Sequence, residues 1–298
     1  MMIQEPTAVA IDSKLHNRKF EIFTAFIMCA AMAALIAVVQ KYSNAPVKAW
    51  PEYTYAPIVV FPDFASIKSI DVKKQQFFDY LQGYIESENE RIIVLREQLL
   101  GFATIVESGV SLSRRERERL LQIALLYELN TEQSNDQRII NLLLQRVDVI
   151  PTSLALAQAA NESAWGTSRF ALEGNNLFGQ WCYVEGCGIV PGRRIRGATH
   201  EVKRFDSIAG AIEAYFLNIN SHHLYQDFRE MRARMRRQQT NLDPMELAYG
   251  LGRYSERGDH YVDEVQSIIE KNSLQERDAQ PSITLSDQSI VLNTSNSD

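Results

Sequence analysis

The stretch Ala157-Gln158-Ala159-Ala160-Asn161-Glu162-Ser163-Ala164-Trp165-Gly166 constrains this chain more than any other. It is small and apolar at helical spacing, it carries one carboxylate near its end, and Trp and Gly follow at once. Pro151-Thr152-Ser153 predicts the helix start, because a fixed φ and a hydroxyl cap suit a first turn. Glu162 then shares a face with Ala155, Gln158 and Ala159, so its neighbours are small and nearly uncharged. It also lies at the negative end of the helix dipole. Poor solvation and the dipole both favour the protonated form, which a general acid needs near neutral pH. The competing reading is a Glu at a frayed helix end that reaches water.

The residues that follow favour the acid. Asn175-Asn176-Leu177-Phe178-Gly179-Gln180-Trp181-Cys182 comes shortly after, then a basic, strand-like stretch ending His200-Glu201-Val202-Lys203-Arg204-Phe205. A helical run from Ser207 to Asn220 leads to Ser221-His222-His223-Leu224-Tyr225, and later to Tyr254-Ser255-Glu256-Arg257-Gly258. On the Asn-Glu-Ser-x-Trp-Gly and Asn-Asn-Leu-Phe-Gly pair, in that order and spacing, the chain resembles the glucosaminidase domains of glycoside hydrolase family 73. More closely, it looks like the Bax proteins of Gram-negative bacteria. The similarity covers roughly Pro57 to Asn272. It implies an α+β, predominantly helical, lysozyme-like domain with a small β-hairpin lobe. The implied activity is endo-β-N-acetylglucosaminidase cleavage of peptidoglycan glycan strands, a hydrolysis without metal or organic cofactor. A lytic transglycosylase is the alternative activity, and a non-catalytic wall-binding module the alternative class.

Composition bounds the partners. A formal net charge of -6 over 298 residues argues against a dedicated nucleic-acid binder. The arginine clusters at Arg114–Arg119 and Arg232–Arg237 are interleaved with helix formers and read as solvated faces. Arg193, Arg194 and Arg196 lie beside the expected cleft, where contact with anionic wall peptides is more credible. Residues 22–39 are apolar and uncharged, and at about 18 residues such a run just spans a bilayer. Lys14, Arg18 and Lys19 precede it, which places residues 1–21 in the cytoplasm and the bulk in the periplasm, held at the inner membrane by a single-pass anchor. The rival is a signal peptide cleaved after Ser43-Asn44-Ala45, releasing the chain into the periplasm. In that oxidising compartment Cys182 and Cys187 are close enough in sequence for a tight disulfide that fixes the loop after Trp181. No metal motif is found.

Phe77, Leu81, Tyr84, Ile92, Leu95, Leu99, Phe102 and Val106 follow a 3.6 period and predict a long amphipathic helix, with shorter ones at Arg115–Leu129 and Asp136–Arg146. The organisation read from the sequence is a linker over 40–70, a helical region over 71–147 packing on the catalytic lobe, and a glucosaminidase domain over 148–272. Residues 273–298, rich in Ser, Asp, Asn and Gln, read as a disordered tail.

The resemblance makes Glu162 the acid that protonates the leaving glycosidic oxygen. A second carboxylate stands about 5–5.5 Å away in retaining glycosidases and roughly 6.5–9.5 Å away in inverting ones. The candidates are Glu185, Glu201 and Glu256. Many relatives carry a glutamate in a hairpin tip, but here the corresponding tip, Arg193 to Ala198, has no carboxylate. Participation by the substrate's N-acetyl group would remove the need for one. Glu201 ranks first, because strand alternation puts it on one face with Lys203 and Phe205, from which it could look across the cleft. Tyr254 matches a tyrosine near the active centre of similar glucosaminidases, where its hydroxyl orients substrate or stabilises charge. Gln158, Trp181 and Glu256 are the expected substrate contacts, whereas Trp165 reads as core and Asn175 and Asn176 as turn-holding.

Overall fold

The structure is a computed structural model that describes residues 61–278 apart from positions 193, 195 and 196. The apolar run 22–39 and the chain beyond 278 lie outside the described residues. Among the described residues, no helix is long and apolar enough to cross a membrane.

Helix α1 (Ile70–Glu107) begins where the Ser69 hydroxyl accepts from the Val72 N–H, and its 38 residues run about 57 Å at 1.5 Å per residue. The stripe from Phe77 to Phe102 is buried along its whole length, as the 3.6 period predicts. Just upstream, Phe64 is buried with its ring edge-on to Phe77 at 5.4 Å. Within the segment expected to be linker, Phe64 thus belongs to the core, and Phe61 and Ile67 pack against it. Helix α2 (Arg114–Leu126) opens with a capping box between Ser113 and Glu116, and α3 (Asp136–Arg146) with the Asn135 side chain accepting from the Arg138 N–H.

Helix α4 (Thr152–Ser163) is the predicted small-residue helix, and every residue from Thr152 to Ala160 is buried. Its start differs from the expected local cap. Pro151 occupies the cap position without a side-chain hydrogen bond. The cap comes instead from Asp278, whose Oδ1 accepts from the Ser153 N–H at 2.8 Å and whose Oδ2 accepts from the Ser153 hydroxyl at 2.7 Å. The turn Leu274–Arg277 that delivers Asp278 has Leu274 fully buried. Residues 273–278 are thus packed rather than tail.

After α4 come α5 (Arg169–Gly174) and a three-stranded antiparallel sheet of β1 (Trp181–Cys182), β2 (Gly188–Ile189) and β3 (Glu201–Lys203). The strand order is β1-β3-β2, with Trp181 opposite Val202 and Gly188 opposite Lys203. Gly188 is required there, since a Cβ would lie 2.0 Å from the Val202 carbonyl oxygen. Helices α6 (Ile208–Ser221), α7 (Gln226–Arg237), α8 (Pro244–Ala248) and α9 (Asp259–Lys271) complete the described chain. One continuous apolar core joins α1 to the later helices, with α4 packed against α1, α9 and the 274–277 turn. A predominantly helical α+β architecture with a small sheet is the result.

Arg114, Arg117, Arg234 and Arg237 are exposed, as expected of solvated faces, but each of the two clusters has a buried member. Arg119 is buried and donates to Gln98 Oε1 at 2.8 Å. Arg232 is fully buried and donates to the carbonyls of Gln145, Arg146, Asp148 and Val149 at 2.9–3.2 Å. Those carbonyls at and after the end of α3 have no helical partners, so a five-donor guanidinium satisfies them. The buried Asp148 carboxylate supplies the counter-charge, 2.8 Å from Arg236 and 3.5 Å from Arg96. Burial would raise the Asp148 pKa, but Arg96, Arg236 and Arg232 together hold it far below the usual carboxylate range.

Candidate active site

Glu162 sits where α4 ends in a sharp reversal. Ala164, Trp165 and Gly166 all adopt left-handed φ values, 50°, 60° and 74°. The Trp165 N–H donates back to the Ala160 carbonyl at 2.9 Å, the 6→1 bond of a Schellman ending. Ser163, fully buried, donates to Ala159 O at 2.6 Å and accepts from the Gly166 N–H at 2.8 Å. Trp165 anchors the turn by packing on Phe77 and Phe78 at 6.1 and 5.3 Å, the core role expected of it. Left-handed non-glycine residues cost roughly 1–2 kcal/mol each, so packing must hold this turn in place.

The Glu162 side chain is half-buried, and its Oε1 is buried with no hydrogen-bond partner. Gly179 approaches the other oxygen so closely that a Cβ there would stand 3.2 Å from Oε2, and its φ of +65° also favours glycine. Burial raises the Glu162 pKa, the Tyr261 hydroxyl and Arg257 oppose that rise, and Glu264 adds to it. The direction agrees with the sequence argument. The nearly uncharged surroundings do not, because the loop before α9 and α9 itself bring charges that local spacing along α4 could not reveal.

Behind the carboxylate runs a buried polar chain. Tyr215 on α6 donates its hydroxyl to Gln158 Oε1 at 2.6 Å, and Gln158 Nε2 donates to the Tyr261 hydroxyl oxygen on α9 at 2.8 Å. The Tyr261 hydroxyl also acts on Glu162, opposing the rise in its pKa that burial causes. Gln158 is 0% exposed, so it cannot touch substrate as expected. It faces Glu162's side of the helix, as the i, i+4 spacing predicts, but from within the protein.

Tyr254 is close by without presenting a free hydroxyl. Its Oη donates to the Phe178 carbonyl at 2.6 Å, and its ring stacks on Tyr261 with centroids 5.5 Å apart. It thereby holds the Phe178-Gly179 turn against the carboxylate. Asn176 holds the same turn from the other side: its amide donates to Gln180 O and Lys203 O, and its Oδ1 accepts from the Phe178 and Gln180 N–H groups.

The sheet lobe carries the remaining candidates. Cys182 and Cys187 are joined as a disulfide. Glu201 is buried beneath that loop, its Oε1 accepting from the Gly186 N–H at 3.1 Å and its Oε2 from the Gly188 N–H at 2.8 Å. Those two donors hold its pKa below the ordinary value. Lys203, on the same strand face, lies over the Phe205 ring at 4.9 Å. Each oxygen of Glu201 thus accepts from the backbone of the loop, a role in shaping it that the sequence reading did not foresee. Among the described residues, Cys182, Cys187 and Glu201 form the one group whose potential metal-ligand atoms lie within 4.8 Å. Its sulfurs are bonded to each other, so it is not a ligand set. Trp181 is 52% exposed and stacks on His200 at 4.1 Å, leaving indole surface for a sugar. Glu185 and Glu256 are exposed on loops.

The sequence reading missed Tyr261, Arg257 and Glu264. Arg257 and Glu264 form a close ion pair, and Asn161 donates to Glu264 Oε2 at 3.4 Å. With His260, Asp263, Ser267 and Ile268 they line an open depression of about 800 Å³ next to the acid. The signal available was the helical spacing of 257, 261 and 264, but nothing local shows that this face meets α4.

The glucosaminidase family, described as mannosyl-glycoprotein endo-β-N-acetylglucosaminidase, matches residues 137–274. Protein bax of Escherichia coli (strain K12) is 32% identical over 211 residues, covering 71% of this chain and 74% of that one. No solved structure matches. The matched region contains Glu162, the reversal after it, the sheet lobe and the polar groups Gln158, Tyr215 and Tyr261, and the chain belongs to the Bax-like proteins of the glucosaminidase-domain family.

Proposed function

We propose that this protein is an endo-β-N-acetylglucosaminidase that cleaves peptidoglycan glycan strands with Glu162 as general acid. The observation that carries the reading is the Glu162 carboxyl itself: half-buried, raised in pKa by burial, with one oxygen unpaired at the end of a rigid helix. A carboxyl whose protonated form is favoured in this way is suited to give its proton to the leaving glycosidic oxygen as the C1–O bond breaks. The positive charge that develops at the sugar ring is then quenched by an attacking nucleophile. Trp181 offers an apolar face for a sugar ring on the sheet lobe, while Tyr254 serves by positioning the Gly179 turn. Glu256, on the exposed loop beside Arg257, remains the substrate contact of that loop.

Both oxygens of Glu201 hold the disulfide loop through backbone N–H groups, which supports a mechanism in which the substrate's own N-acetyl group attacks C1. The same observation favours a second reading, a lytic transglycosylase, which needs one acid and no second carboxylate. For localisation we propose the periplasm, with residues 22–39 as the inner-membrane anchor; the disulfide supports an oxidising compartment. Mass spectrometry of fragments released from purified peptidoglycan separates the readings. Reducing N-acetylglucosamine ends are expected. Anhydro-muramyl ends would establish the transglycosylase instead, and binding without fragments would leave a wall-binding module.

A further inference from the structure

We propose that Glu201 and the Cys182–Cys187 disulfide are positioning residues that hold Trp181 as a fixed platform for a sugar ring of the glycan strand. The proposal rests on the reading of Trp181 as a sugar contact and deepens it, by naming what sets the strength of that contact.

The sheet lobe is slight. β1 and β2 are two residues each and lie on opposite sides of β3, and ladders that short hold weakly by themselves. The disulfide joins Cys182, at the end of β1, to Cys187, the residue before β2, and so ties the two outer strands together across the central one. Glu201 stands opposite Cys182 in the register. Its carboxylate takes the Gly186 and Gly188 N–H groups, one on each side of Cys187. The Cys187 carbonyl accepts from the Arg204 N–H at 3.2 Å. Together these bonds form a clasp that fixes β1 and, with it, Trp181.

What the clasp presents is apolar and exposed. Tyr183 and Val184 in the closed loop are 70% and 74% exposed, so the loop does not complete the core. The Trp181 ring is stacked on His200, yet half of the residue stays open to solvent. A ring already immobilised loses less conformational freedom when a ligand settles on it. Trp181 also lies close to the acid along the chain. Gly179 abuts Glu162 Oε2, and two residues span at most about 7 Å. The intervening Gln180 is held separately from the clasp. Its N–H donates to Asn176 Oδ1, its carbonyl accepts from the Lys203 N–H at 2.8 Å, and its side-chain amide donates to the Ala211 carbonyl on α6 at 3.1 Å. Opening the clasp therefore loosens Trp181 and leaves the turn against Glu162 in place. The effect falls on binding and not on bond cleavage.

The test is binding of the full-length protein to purified peptidoglycan, measured by co-sedimentation in the Glu162→Gln background so that strands stay whole. Trp181→Ala should weaken binding, and Trp181→Phe, which keeps an aromatic face, should restore part of it. Cys182→Ser/Cys187→Ser is expected to raise Kd about 3- to 10-fold, the scale of freeing one or two side chains. Dithiothreitol should do the same to the disulfide-bonded protein and nothing to the double variant. With Glu162 restored, opening the disulfide should raise KM and leave kcat unchanged. Glu201→Gln should shift KM the same way, whereas loss of a general base would lower kcat by about 10²-fold or more. An unchanged Kd in Cys182→Ser/Cys187→Ser, with Trp181→Ala binding more weakly, overturns the proposal. If the double variant does not fold, an unchanged Kd in Glu201→Gln overturns it instead. Unchanged binding by Trp181→Ala would remove the sugar contact itself and the proposal with it. Failure of the acid assignment is seen separately, as retained cleavage by Glu162→Gln.

Discussion

At the scale of single residues, two carboxylates in one domain have opposite fates because their partners differ. Glu162 has burial and an unpaired oxygen, and its neutral form is favoured. Glu201 has two backbone N–H donors, and its ionised form is favoured. The pH consequence for Glu201 follows from the sign of its shift. A folded pKa below the ordinary 4.5 means the stabilisation is present above the unfolded pKa and is lost as pH falls through the folded one. The protection of the Gly186 and Gly188 amides, taken against their intrinsic exchange rates at each pH, should be high at neutral pH and fall in acid. In Glu201→Gln the amide brings one acceptor and one misplaced donor, so exchange there should accelerate by about 10-fold or more at neutral pH. Unchanged protection at both glycines would return Glu201 to the list of free carboxylates.

At the scale of elements, the helix that carries the acid depends on a residue remote in sequence. Asp278 caps α4 across a separation of 125 residues. Asp278→Ala should cost about 1 kcal/mol, within the usual range for a lost cap, read as a lower midpoint in urea. No change in midpoint would mean that Pro151 alone starts the helix. The same contrast explains what was legible in the sequence. The α1 stripe, the α3 boundaries and the buried small-residue helix all rest on spacing within a few turns, and they emerge as expected. Strand alternation placed Glu201 on a defined face, yet what that face meets depends on the disulfide loop folding over it. Gln158 was placed on Glu162's side of α4, but its burial is decided by α6 and α9. Arg232 looked like part of a solvated stripe because nothing near it in sequence announces the open carbonyls after α3. Contacts between distant segments, not local propensity, set every one of these residues' roles.

At the scale of the whole molecule, one buried charge cluster ties α1, α3 and α7 together. Asp148 answers Arg96, Arg232 and Arg236, and the buried Arg232 closes the end of α3. Removing one partner of a buried ionic cluster typically costs about 3–5 kcal/mol, because the remaining charges stay buried. Asp148→Asn should therefore lower the denaturant midpoint far more than Asp278→Ala does; an equal or smaller effect would show that the cluster is solvated in solution. The central claim concerns the acid that this framework holds at the end of α4. Its most direct test is release of soluble glycan fragments from purified peptidoglycan by wild type and by Glu162→Gln, with the thermal melt of each recorded alongside. The account predicts cleavage by wild type and none by Glu162→Gln at nearly the same melting temperature. Cleavage by Glu162→Gln at the wild-type rate would contradict it.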